Sequence, residues 1–182
     1  TTCVQPLPGL KSVSYREPSA MAGRRMLTVA CPSGTVLVGG GISGGTNQSQ
    51  RAQVNELGPA TTDNGATWRS WVAVVETDEP TRGTVYAVCA TQPPGYQVFA
   101  RDSFVPAGNQ VIDDAATCPT GDLLAGGMAL KSTAIAPTNA YTGTSSYLWL
   151  RTSRPVGEPG TPGQLWTARA DTYSDFGEDV VT

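Results

Sequence analysis

The sequence predicts an all-β fold made of two tandem copies of one unit, forming a sandwich, barrel or prism closed by adjacent termini. The first observation is a series of short runs rich in Val, Thr, Leu and aromatic residues, at 69–77, 83–89, 96–101, 147–152 and 165–172, broken by clusters of Gly, Pro and Asn. Such runs read as strands and their boundaries as turns. The second is the near absence of helical periodicity: the best helical candidate, 19–27, contains Gly23 and reads equally as loop plus strand. The third is an internal repeat. With 21 Gly and 14 Pro among 182 residues, punctuation is dense enough for about a dozen short strands.

The repeat runs through most of the chain. Cys3, Pro8 and Gly9 recur 86 residues later as Cys89, Pro94 and Gly95. Cys31, Pro32, Gly34, Leu37, Gly39 and Gly40 recur 87 later as Cys118, Pro119, Gly121, Leu124, Gly126 and Gly127. Trp71, Ala73 and Thr77 recur 95 later as Trp166, Ala168 and Thr172, which places the larger insertion between Gly127 and Trp166. The predicted domain is therefore a single pseudo-twofold unit over 1–182, with repeats 1–88 and 89–182. The cut is odd. Thr84 to Cys89 reads as one strand in the first copy, whereas the second stops at Thr182, short of its cysteine, and Thr1, Thr2 and Cys3 supply the missing end. Side-by-side termini follow, or else the end of one chain completes the next in a filament.

Along each copy the alternation Trp71, Ala73, Val75, and likewise Trp166, Ala168, Ala170, places three residues on one strand face, expected to be core. The glycines after Leu37 and Leu124 are expected to mark bends where a strand passes close to another backbone. The loops 43–50, 137–146 and 155–163 carry the non-duplicated sequence, where binding residues concentrate.

Four cysteines with no Cys-x-x-Cys spacing point to two structural disulfides in an oxidising compartment. The spacings Cys3 to Cys31 (28) and Cys89 to Cys118 (29) are nearly equal, so a bridge internal to each copy is the preferred connectivity. Its rival joins Cys31 to Cys89 and Cys3 to Cys118. Loops of 28 and 29 residues each contribute roughly 3 to 4 kcal/mol in the chain-entropy description. The start at Thr1, with no basic apolar leader, fits a chain whose signal peptide has been removed.

Composition removes several functions. There is no His, so Ser-His and Cys-His nucleophilic machinery and His-containing zinc sites are excluded. A net charge of −3 offers no field for phosphates, so neither nucleic acid nor an anionic membrane surface is an expected partner. No apolar run approaches the roughly 18 to 20 residues of a bilayer-spanning helix. The stretch Gly39 to Gly45 matches both G-x-G-x-x-G and G-x-S-x-G, the latter with Ser43 as nucleophile, but no amphipathic helix follows and no imidazole is available as base. A structural glycine bend accounts for it better.

No catalytic residue, metal site or cofactor is predicted. The acidic clusters Asp113-Asp114, Glu76-Asp78-Glu79 and Asp171-Asp175-Glu178-Asp179 read as solvated loops, and strand neighbours such as Asp113 and Asp114 point apart. Ligand-binding candidates are the aromatics without a counterpart in the other copy, chiefly Trp149, Tyr147, Tyr141 and Trp68. Trp and Tyr beside polar loops stack on sugars or anchor a protein partner, although a core role for each is the simpler alternative.

Cys31-Pro32-Ser33-Gly34 running into Gly39-Gly40-Gly41, and Val85-Tyr86-Ala87-Val88-Cys89-Ala90 followed by Pro94-Gly95-Tyr96, resemble a pattern of secreted, uncharacterised β-rich repeat proteins of actinobacteria and of some phage-associated surface proteins. The resemblance is sharp only at these motifs, departs after Gly127, and implies an extracellular or virion-surface setting with no activity to carry over. The expected function is a non-enzymatic extracellular β-repeat protein serving as a surface binding or structural component. A carbohydrate or protein surface is its expected partner. Three alternatives accompany it: a filament or coat subunit assembling through terminal strands, a secreted protease inhibitor using loop 155–163, and a carboxylate-only glycosidase.

Overall fold

A computed structural model describes residues 7–44, 52–61, 67–106, 108–118, 124–130, 147–157, 164–174 and 178–181. Over these residues the chain is all-β, with no helix. The first six strands are β1 (Lys11–Arg16), β2 (Met21–Ala30), β3 (Val36–Gly44), β4 (Ala52–Thr61), β5 (Trp68–Thr81) and β6 (Gly83–Ala90). The next six are β7 (Asp102–Val105), β8 (Gly108–Thr117), β9 (Ala129–Leu130), β10 (Tyr147–Val156), β11 (Leu165–Ser174) and β12 (Glu178–Val181). They form four three-stranded antiparallel sheets, ordered β1-β6-β3, β2-β5-β4, β7-β12-β9 and β10-β11-β8. Among the described residues none closes into a barrel.

Adding six to every strand number of the first two sheets gives the strand orders of the other two. Register repeats as well. Trp71 lies opposite Val29 and Pro59, and Trp166 opposite Ala116 and Pro155. Both prolines sit on edge strands, where no ladder donor is required of them. A bulge falls between Val54 and Glu56 on β4 and between Leu150 and Thr152 on β10. Cys31 N donates to Arg69 O at 2.7 Å, and Cys118 N to Gln164 O at 2.9 Å.

Strand β5 shows why its sequence is a continuous apolar run. Trp71, Ala73 and Val75 face one cluster, where with Leu27 they meet Leu37, Val85, Ala87 and Cys89 of sheet β1-β6-β3. Val72 and Val74 face a second cluster with Met26 and Ala60. The alternation predicted one core face; both are buried, because β5 is the centre of its sheet and is covered on each side. Each aliphatic side chain buried this way contributes about 1.5 to 3 kcal/mol.

The preferred cysteine pairing is corrected. Cys31 bonds to Cys89, their Cα atoms 5.7 Å apart, which rules out both Cys3 to Cys31 and Cys89 to Cys118. The reason is the position of Cys89. It belongs to β6, the central strand of the first half, rather than to the start of the second. From the core-facing side of β6 it meets Cys31 at the end of β2, so the bridge staples one sheet to the other. Cys3, Thr1 and Thr182, on which closure by adjacent termini depends, lie outside the described residues.

Two more expectations change. The stretch 96–101 forms no strand: Pro93 and Pro94 withhold donors, Gly95 adopts φ +74°, and Tyr96 N closes a turn onto Pro93 O at 3.1 Å. The helical candidate 19–27 instead runs into β2. There Arg25, 8% exposed, donates Nε to Glu17 Oε1 at 2.8 Å and Nη1 to Thr77 Oγ1 at 2.8 Å, while Glu17 Oε2 accepts Gly83 N at 2.6 Å. This buried pair is hydrogen-bonded all round, as burial of charge requires. The matching positions of the second half are Ile112 and Phe104, so that half does without it.

Candidate functional site

The halves meet where the segment leading into β9 crosses β4. Leu57 and Met128 exchange both backbone hydrogen bonds, at 3.0 and 3.2 Å. Such an approach excludes side chains: a Cβ on Gly127 would collide with Leu57 O and the Gly58 Cα. This is the close backbone approach expected of the second glycine segment. The glycines Gly40 and Gly126 serve a different contact, each lying against an indole, Trp71 and Trp166 respectively. None of these three adopts positive φ, so what they supply is room.

Beside this crossing lies a cavity of about 360 Å³, within the range of small-molecule sites. The first half contributes Leu37, Trp68 and Trp71, and the second contributes Met128 and Trp166. The connection between halves, 93–100, forms a third wall. It is latched by Tyr96, whose hydroxyl donates to Leu37 O at 2.6 Å, and burial pushes that phenol up to about 12. Two indoles differ in their hydrogen bonding. Trp166 Nε1 donates to Ser153 Oγ at 2.7 Å, whereas the buried Trp71 Nε1 has no acceptor among the described residues.

Among the described residues the lining contains no Asp, Glu, Lys or Arg. Aromatic and aliphatic walls with a few polar atoms favour binding an uncharged molecule, since a buried charge without a partner is costly.

Of the aromatics singled out in the sequence, Trp68 lines the cavity and packs on Ala129 of the other half. Trp149 does not line it; it is half-buried on β10, opposite Asp171. Tyr147 lies at the start of β10, opposite Tyr173, with a side chain outside the description. Tyr141 lies outside the described residues. Of the two whose side chains are described, Trp68 is at the cavity and Trp149 is not.

The carboxylates separate as strand geometry requires. Asp114 is buried, taking hydrogen bonds from Ser103 Oγ and Ala115 N, with Arg101 alongside, and Asp113 pairs with Arg169 on the exposed side. Among the described residues no group of three or more His, Cys, Asp or Glu is placed to hold a metal ion. Ser43 lies exposed on β3, hydrogen-bonded to Tyr86 Oη at 3.1 Å. No described helix is long and apolar enough to cross a membrane.

Tyr96, Phe99, Met128 and Trp166 are cavity walls that the sequence reading missed as a site. A signal was present: Gly83 to Ala100 carries no charged residue, and its second half, broken by Pro93, Pro94 and Gly95, is not used in a sheet. No family model matches this chain, and no curated protein or solved structure matches it either.

Proposed function

We propose that this chain is a non-enzymatic, extracellular β-repeat protein that acts as a binding component, with the cavity between its halves as the binding site. The observation that carries this reading is the cavity itself: about 360 Å³, walled by three tryptophans and, among the described residues, free of Asp, Glu, Lys and Arg. General acid–base work needs a group poised near neutral pH, and Tyr96, pushed up to about 12, is far from it. The Cys31 to Cys89 bridge supports an oxidising, extracellular setting, in keeping with the resemblance to secreted actinobacterial or phage-associated repeat proteins.

The same reading includes duplication. Repeated strand order, register and bulges support two copies of a six-stranded unit, each a pair of sheets packed as a small sandwich. The binding site then belongs to neither copy alone, since it is built where they meet.

The test uses Nile red, an uncharged probe that brightens in apolar surroundings. Saturable brightening with one equivalent of protein is expected, together with its loss in Val98→Trp, which fills the cavity from the connecting segment. Brightening that persists unchanged in that variant, or none with the wild-type protein, contradicts the reading.

A further inference from the structure

A second, shallower hollow adjoins the cavity and shares with it Trp68, Tyr96, Gln97, Val98 and Phe99. The two are chambers of one site, with that set as the threshold. Their chemistry differs. Beyond the threshold the inner chamber is walled by Trp71, Trp166 and Met128, whereas the outer one adds Gln92 and Thr67. Among the described residues neither chamber is lined by Asp, Glu, Lys or Arg.

From this juxtaposition, and resting on the binding reading above, we infer that the ligand is a neutral amphiphile with an aromatic or alicyclic body in the inner chamber and an uncharged, hydroxylated head in the vestibule. An aryl glycoside has this chemistry. The body replaces water against indole and thioether surfaces, whose preferred partners are flat or edge-on rings. The head meets the carboxamides of Gln92 and Gln97, which both donate and accept and therefore suit hydroxyls. Trp68, at the threshold, offers an indole to the apolar face of a sugar ring. A charged head would find no counterion among the described lining residues, which sets the selectivity.

Calorimetric titration of the full chain with four probes tests this: 2-naphthyl β-D-glucopyranoside, 2-naphthol, glucose and 2-naphthyl phosphate. The glucoside is expected to bind about fivefold more tightly than 2-naphthol, the increment of one or two net hydrogen bonds. The phosphate is expected to bind at least about tenfold more weakly than the glucoside, and glucose not measurably. Gln97→Ala, on an exposed side chain outside any strand, is expected to narrow the glucoside's advantage over 2-naphthol, since it removes one of the two carboxamides that meet the head. A glucoside no tighter than 2-naphthol, or a phosphate equal to the glucoside, overturns the amphiphile while leaving the cavity as a binding site. Failure of 2-naphthol and both its conjugates to bind overturns the binding reading and this inference together.

Discussion

At Tyr96 one side chain ties the connection between halves to β3, through the 2.6 Å bond to Leu37 O. Tyr96→Phe is expected to cost about 1 kcal/mol, the net value of such a bond, read as a lower midpoint in urea. The same group gives a pH signature. Its folded pKa, about 12, lies above the unfolded value of 10.0, so the neutral form is favoured by folding. Its contribution is complete below pH 10 and is lost as pH rises from 10 toward 12, and Tyr96→Phe should flatten that part of the stability profile. Glycines give a second contrast at this scale. A methyl at Gly40 would enter the Trp71 ring, whereas one at Gly41 meets nothing within 4 Å. Gly40→Ala is expected to cost about 1 to 3 kcal/mol by overpacking and Gly41→Ala well under 1 kcal/mol, both read by thermal unfolding. A run of three glycines announces close contact in the sequence; which one faces the indole depends on pleat and bulge, which composition does not encode.

The elements were largely legible because strand and turn chemistry is local. Runs 69–77, 83–89, 147–152 and 165–172 all lie within strands of the structure. The stretch 96–101 misled because its residue types suit a strand, while the Pro-Pro-Gly before it frees the chain to line a cavity instead. Strand β4 was hidden by Pro59, which an edge position accommodates. Pairing of Cys31 with Cys89 was not legible from equal spacing, since spacing says nothing of which strand occupies a sheet's centre. The most sensitive junction between elements is Gly127 on Leu57 and Gly58. Gly127→Ala must separate two backbones that exchange two hydrogen bonds, and a loss of about 3 kcal/mol is expected. A shift in denaturation midpoint no larger than that of Gly41→Ala would show that the crossing is not tight.

Across the whole molecule, the second half repeats the strand order and register of the first while differing in its loops and in its buried charges, Arg25 and Glu17 giving way to Ile112 and Phe104. The repeat equates Cys118 with Cys31 and Cys3 with Cys89. A bridge between Cys31 and Cys89 therefore predicts its mate, Cys3 to Cys118, and with it an amino-terminal segment that completes the second half. Peptide mapping under non-reducing conditions is expected to recover both bridges within one chain; a Cys3 thiol open to alkylation in the folded protein contradicts the symmetry. Sequence alone placed binding on Trp149, Tyr147, Tyr141 and Trp68, of which Trp68 lines the cavity; the other cavity walls were not legible, because they depend on how the two halves meet. The most direct measurement uses the four tryptophans as reporters. In ¹⁵N-labelled protein titrated with 2-naphthol, the indole N–H signals of Trp68, Trp71 and Trp166 are expected to shift together while that of Trp149 stays fixed. A shift confined to Trp149 would move the site to β10, and no shift at all would leave the cavity without a ligand of this class.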